Sequence, residues 1–266
     1  MAGKAEFHEH RRGRLYRLNR LHGKGSGAIK RETLAVDGRD CIVHCVAQPK
    51  AILIQPTGEH EQSMLDAEID LIEQRCGDGF LLVSFPVADW NRELSPWDAP
   101  PVFGKEGFGH GAEGTLSFIE RELLPAVLQR YGLPEAIPVI LGGYSLAGLF
   151  SLWSAFQTDR FSAVASASPS VWFPAWIEYS QREVIRAQRV YLSLGDREGK
   201  TKNPVMAQVG ECIRTLEQLL REKGVDCVLE WNEGNHFRDA EKRTAAAFVW
   251  CLESVQILEK GGIRHE

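Results

Sequence analysis

The sequence predicts an α/β protein: a mostly parallel central sheet, an N-terminal antiparallel hairpin, and helices on both faces. Three observations predict it. From residue 51 onward, short apolar runs alternate with segments of helical period. Ahead of them, two strand-like runs flank Asp37-Gly38, a strong hairpin signal. One run, Ile137–Leu141, is apolar throughout, as a strand covered on both faces must be.

Taken in order, Ile29–Val36 and Cys41–Ala47 form the hairpin. Ala51–Gln55 is a short strand ended by Pro56-Thr57-Gly58. Met64, Leu65, Ile69 and Ile72 mark a helix that stops near Gly77, and Phe80–Phe85 is the next strand. Residues 90–114 are rich in Pro, Gly and aromatics and read as a long irregular loop. Loops of that length inside compact domains are usually functional. Thr115, Leu116, Ile119, Leu123, Leu124 and Val127 restore helical period, with Pro125 predicting a kink. Ile137–Leu141 then leads into Leu146, Leu149 and Phe150 at helical spacing. Phe161–Ala167 is a strand of small residues, followed by a second irregular stretch from Ser168. Arg189–Leu194 is a strand ended by Gly195. Asn203 caps a helix with Pro204 at its first position; Met206, Val209, Ile213, Leu216 and Leu220 trace one face, closed by Gly224. Cys227–Trp231 is the last strand and Ala245–Ile257 the last helix. One domain therefore covers residues 29–260, with residues 90–114 and 168–180 as expected active-site loops.

Composition narrows the function class. The 266 residues are 44% hydrophobic and 25% charged, ordinary for a soluble globular chain. Net charge is -5, so nucleic acid is not an expected partner. Residues 1–31 hold nine Lys or Arg against Glu6 and Glu9, so residues 1–28 read as a basic, solvated arm. No run reaches membrane-spanning length, and the N-terminus lacks the apolar core of a secretory signal. The expectation is a cytoplasmic protein without a membrane partner. Cys41, Cys45, Cys76, Cys212, Cys227 and Cys251 are scattered, with no C-x-x-C pair. They are expected to be thiols, with neither a metal site nor a cofactor. Oligomeric state is left open.

The chemistry centres on Gly143-Tyr144-Ser145-Leu146-Ala147-Gly148. A strand turning sharply into a helix holds a serine only if its neighbours are small. The pattern resembles the nucleophile elbow of α/β-hydrolases, G-x-S-x-G in most and G-x-S-x-A here. The turn lifts the hydroxyl clear of the sheet and aims the Leu146 N–H at a developing oxyanion. A serine hydroxyl needs a base, and the base needs a carboxylate to fix its tautomer. In these folds the order is Ser, acid, His. After Ser145 come only His236 and His265, and His265 is the penultimate residue. His236 follows the strand Cys227–Trp231, where the base belongs. Glu198 and Asp196 both follow the preceding strand, with Glu198 the first choice for the acid. A second oxyanion donor is expected after Gln55. Pro56 has no N–H, so Thr57 or Gly58 would donate, with Thr57 preferred. His44 reads as packed in a strand; His60 and His110 read as loop residues near the mouth. Trp90, Trp97, Phe103, Phe108, Trp172 and Trp176 either wall a substrate pocket or pack the loops. Trp90 and Trp172 are the pocket candidates.

With these residues in hand, the chain resembles the Putative esterase family of α/β-hydrolases, which includes esterase D-like and enterochelin-esterase-like proteins. The resemblance rests on Gly143–Gly148, Ser166-Ala167-Ser168-Pro169-Ser170-Val171-Trp172, Leu194-Gly195-Asp196-Arg197-Glu198 and Gly234-Asn235-His236-Phe237. It runs from about Ile29 to the last helix, and the Ser-Pro-Ser-x-Trp segment leans toward the enterochelin-esterase-like branch. It implies a Ser–acid–His triad, no metal, an acyl-enzyme and hydrolysis of a small-molecule carboxylic ester. Ala147 in place of the usual glycine and the lack of a glycine-rich sequence after Gln55 are departures. An acyltransferase on the same triad, a peptidase, and a non-catalytic binding protein on this scaffold are the rivals.

Overall fold

The computed structural model describes residues 30–261 apart from residues 47, 78 and 103. The basic arm at residues 1–28 lies outside the described residues, as do Ile29, Ala47, Phe103 and His265.

β1 (Lys30–Val36) and β2 (Arg39–Cys45) form an antiparallel pair. Asp37 and Gly38 between them have φ of 47° and 80°, the left-handed pair that a two-residue hairpin turn requires. β3 (Ala51–Thr57), α1 (Glu59–Cys76), β4 (Phe80–Pro86) and α2 (Trp90–Glu93) follow. α3 (Ala112–Phe118) passes through one π-helical turn, Ile119–Leu123, into α4 (Leu124–Tyr131). Pro125 accounts for that turn. Its ring has no N–H and would clash with the carbonyl four residues back. The widened turn, in which the Leu124 N–H reaches the Ile119 carbonyl, makes the room. Next come β5 (Val139–Tyr144), α5 (Leu146–Gln157), β6 (Ala163–Ala167), α6 (Trp176–Arg182), β7 (Arg189–Gly195), α7 (Val209–Glu222), β8 (Asp226–Asn232) and α8 (Ala240–Gly261).

The eight strands form one sheet in the order β1-β2-β4-β3-β5-β6-β7-β8. β2 pairs antiparallel with β1 and β4, and every pair from β4 through β8 is parallel. Helices cover both faces. Ile52 and Ile54 belong to one core cluster with Leu149, Phe150, Ile213 and residues of α3 and α4. Ala51 and Leu53 pack with Leu65, Ile69, Phe248 and Leu252 of α1 and α8. The fold is therefore α/β, as the alternation of patterns implies.

Several segments differ from the sequence reading, among them α2, a short helix within the expected loop at residues 90–114. β3 continues through Pro56 to Thr57. Pairing with β5 stops at Ile54, so the missing Pro56 N–H costs no ladder bond on that side. α6 lies within the expected irregular stretch. At the start of α7, Asn203 Oδ1 accepts from the Val205 and Met206 N–H groups at 3.0 and 3.2 Å. Cap and helix are separated by a 3₁₀ turn, Met206–Gln208.

Candidate active site

The site residues collect beyond the carboxyl ends of the parallel strands, where ligands bind in such sheets. Ser145 directly follows β5 and precedes α5, with φ 58° and ψ -119°. A non-glycine residue pays strain there, and its neighbours must hold it. Any side chain on Gly143 would put its Cβ 2.6 Å from the Ala147 Cβ. The small residues at both positions are what allow the chain to turn so sharply. Leu146 is the first residue of α5, where helix geometry leaves N–H groups without an intrahelical acceptor.

His236 lies in the loop after β8, and its Nε2 is 3.0 Å from Ser145 Oγ. Its Nδ1 is 2.7 Å from Glu198 Oε2. A carboxylate only accepts, so Nδ1 carries the proton and Nε2 faces the serine hydroxyl as an acceptor. Glu198 is the better placed of the two acids. Asp196 turns the other way, its Oδ1 accepting from the Gly234 N–H at 2.7 Å. Glu198 Oε1 accepts from the Gly195 N–H at 2.7 Å, the Ser168 hydroxyl at 2.8 Å and Arg243 Nη1 at 2.8 Å. Burial pushes the Glu198 carboxyl up. The His236 hydrogen bond and charge, the Gly195 N–H and the Ser168 hydroxyl outweigh it and hold the group below its usual range. Glu198 is thus an ionised carboxylate in a nearly dry setting. Beneath the imidazole, the Tyr144 ring lies 5.1 Å away, and its hydroxyl donates to the His236 carbonyl at 2.7 Å. Burial pushes the Tyr144 phenol up to about 12, so it stays a neutral donor.

A cleft of about 370 Å³ opens above these groups. Ser145, Leu146, Glu198 and His236 line it, with Trp90, Phe108, Trp172, Met206, Val209 and Phe237 as apolar walls. Trp90 and Trp172 therefore lie where the pocket candidates were expected. Trp97 and Trp176 do not. Trp97 donates from Nε1 to the Pro174 carbonyl and stacks on Trp176, which is fully buried, so this pair packs one loop on the other.

Thr57 requires a correction. It is 2% exposed and lies off the cleft. Its carbonyl accepts from the Val87 N–H and its hydroxyl donates to the Phe85 carbonyl. In a parallel ladder a residue's N–H and C=O point to the same neighbour, so the Thr57 N–H faces β4, away from Ser145. The alternative, the Gly58 N–H, is taken by Glu61 Oε2 at 3.1 Å.

His44, His60 and His110 lie off the cleft. His44 is buried, which pushes its imidazole down to about 4 and keeps it neutral. His60 is exposed in the first turn of α1, and His110 pairs with Asp98 at 2.9 Å in solvent. Sequence reasoning did not assign Ser170, Met206, Val209 or Arg243 to the site. Ser170 Oγ is 3.4 Å from Ser145 Oγ. The clue to Arg243 was its spacing: it precedes the buried Ala247 and Cys251 at four-residue intervals on α8. Among the described residues, no three His, Cys, Asp or Glu are grouped to hold a metal ion, and no helix is long and apolar enough to cross a membrane.

A sheet of this order, with a serine, a histidine and a carboxylate chained at its carboxyl rim, defines an α/β-hydrolase fold. Solved structures share it. An IroE-like serine hydrolase from Shewanella oneidensis superposes with a TM-score of 0.68 at 15% identity, over 90% of this chain and 80% of its own. The siderophore hydrolase EstA from Aspergillus nidulans gives 0.64 at 17%, over 90% and 94%. Residues 67–240 match the family described as Putative esterase, and the chain belongs to that family of hydrolases. The uncharacterized protein YbbA of Bacillus subtilis (strain 168) is 26% identical over 173 residues, 61% of this chain and 68% of that protein.

Proposed function

We propose that this protein is a serine esterase acting through an acyl-enzyme on a bulky or aromatic carboxylic ester. The observation that carries the reading is the unbroken chain from Ser145 Oγ through His236 to Glu198, with links of 3.0 and 2.7 Å. His236 Nε2 takes the hydroxyl proton as Ser145 Oγ attacks the ester carbonyl. The carbonyl oxygen becomes an oxyanion, stabilised by the Leu146 N–H at the positive end of α5. The imidazolium, held by Glu198, passes its proton to the leaving alcohol as the C–O bond breaks. Water then attacks the acyl-serine, with His236 again taking the proton and returning it to Ser145.

The aromatic walls of the cleft support the substrate class. A benzoyl-sized acyl group fits about 370 Å³, with Trp90, Phe108 and Trp172 as faces to pack on. The test is a panel of esters of graded acyl size, run on the wild type and on Ser145→Ala, with labelling by a fluorophosphonate probe. Turnover and labelling that vanish together in Ser145→Ala are expected. An unlabelled wild type that turns over no ester would leave a non-catalytic scaffold. A rise in ester exchange on adding alcohol, at the expense of free acid, would make the enzyme an acyltransferase.

A further inference from the structure

α8 carries a buried cation into the floor of the site. Arg243 lies in its first turn and is 3% exposed. Its Nη1 donates to Glu198 Oε1 at 2.8 Å, to Ser168 Oγ at 3.1 Å and to the Tyr144 hydroxyl at 3.2 Å. Its Nη2 donates to the Glu233 and Asn235 carbonyls at 3.3 and 3.1 Å. One planar head thus joins the acid, the strand that leads into Ser145 and the loop that carries His236. The sequence makes room for it: a Cβ on Gly195 would lie 3.0 Å from both Nη atoms.

We propose that Arg243 is a positioning residue for the Ser145 reaction: it fixes Glu198 and the His236 loop relative to one another and offsets the carboxylate charge. The proposal rests on the hydrolytic reading above. Two consequences follow from its chemistry. Lysine is a point charge and cannot bridge the carboxylate and two carbonyls as a planar fork does. A fixed positive charge beside the Glu198–His236 pair also opposes its uptake of a proton, so removing that charge raises the pH at which the imidazole protonates.

The other groups around the pair do not duplicate this charge. Tyr144 from β5 is neutral. Asp196 and Glu233, from the loops after β7 and β8, are acidic. Arg197 and Arg238 both turn outward to Glu233 Oε1. Asp239, at the start of α8, pairs with Lys242 and Arg238 in solvent. Glu241, next on α8, is acidic.

The experiment is a pH profile of kcat/KM on a small ester, with an NMR titration of the His236 ring, for wild type, Arg243→Met and Arg243→Lys. Arg243→Met should move the acid limb and the ring titration upward by about one pH unit or more. It should also lower kcat by roughly 10- to 100-fold, the range for a misplaced catalytic group. Arg243→Lys should keep the limb in place and lower kcat by less, with KM unchanged. A residue that only stabilised the fold would lower the active fraction at every pH and move neither titration. A folded Arg243→Met with an unmoved limb and ring titration overturns the proposal. If Arg243→Met does not fold, Arg243→Lys decides, and wild-type kcat in that variant overturns it. A wild type that neither hydrolyses esters nor takes the fluorophosphonate label removes the reaction itself, a failure of the underlying reading that the ring titration tells apart.

Discussion

Glu198→Gln should remove nearly all activity from a folded protein, and the structure says why. Glu198 Oε1 receives three donors: the Gly195 N–H, the Ser168 hydroxyl and Arg243 Nη1. Glutamine has one oxygen to offer. An NH₂ group at the Oε1 position would face the N–H groups of Gly195 and Arg243, neither of which can accept. The amide oxygen must therefore take that position, and the NH₂ must face His236 Nδ1. Nδ1 then has to accept, which moves the ring proton to Nε2. Nε2 becomes a donor toward Ser145 Oγ and can no longer take its proton. Fixing the wrong tautomer in a serine triad costs about 10⁴ in kcat, or about 5.5 kcal/mol of transition-state stabilisation. The assay is kcat at saturating ester beside the fluorophosphonate labelling rate, with a thermal melt to show folding. Asp196→Asn is the control. Its oxygen can still accept from the Gly234 N–H, so kcat should stay within about threefold. The reasoning fails if Glu198→Gln keeps kcat within tenfold of wild type, or if Asp196→Asn loses more than Glu198→Gln.

Three other substitutions test the surroundings. Trp172→Ala removes a wall that meets the Phe108 ring edge-on at 6.1 Å; KM should rise for bulky esters several-fold more than for acetate esters, and equal changes would reject the pocket role. Gly143→Ala drives a methyl against Ala147, so overpacking should cost about 1–3 kcal/mol in urea unfolding and lower kcat more than it raises KM. Glu68→Gln concerns a fully buried carboxyl that burial pushes up to about 8, helped by Glu241 and Glu61 and opposed by the Gln55 hydrogen bond. A carboxyl raised in the folded state stabilises fully below its unfolded value and loses that contribution as pH rises through the folded one. Wild-type stability should therefore fall by roughly 1 kcal/mol per pH unit between about 5.5 and 7.5 relative to Glu68→Gln. Parallel pH dependences for the two proteins would show that Glu68 is not protonated.

The site was legible where its signals are local and ordered along the chain. Ser145, Glu198 and His236 each follow a recognisable strand, and their order is fixed by the topology, so three short segments suffice to bring them together. Thr57 was misread because the direction of an N–H is set by ladder register. Nothing in Gln55-Pro56-Thr57-Gly58 says that Thr57 still pairs with β4 after pairing with β5 has ended. α6 was hidden because Ser168–Pro174 looks like loop and the helix after it is seven residues long. Trp97 and Trp176 could not be told from Trp90 and Trp172 by composition. All four are tryptophans in chain segments that follow strands, and only tertiary packing decides which of them face the cleft. Arg243 was the hardest to see. Its helical spacing marks it as inward-facing, but its partners come from β5, the loop after β6, the loop after β7 and the loop after β8.

Two buried glutamates show how the same side chain is pushed in opposite directions by what surrounds it. Glu198 has three donors on one oxygen and an imidazole on the other, and it stays ionised. Glu68 has a single amide partner and two acidic neighbours, and it stays protonated at neutral pH. The linkage signs are therefore opposite. Glu198, depressed in the folded state, stabilises above its unfolded value and loses that contribution as pH falls. Glu68 loses its contribution as pH rises. The interval in which both contributions remain is bounded below by the site and above by the α1 side of the core. Glu68→Gln, in α1 on the opposite face of the sheet from the cleft walls, should therefore remove the upper bound and leave the lower one in place.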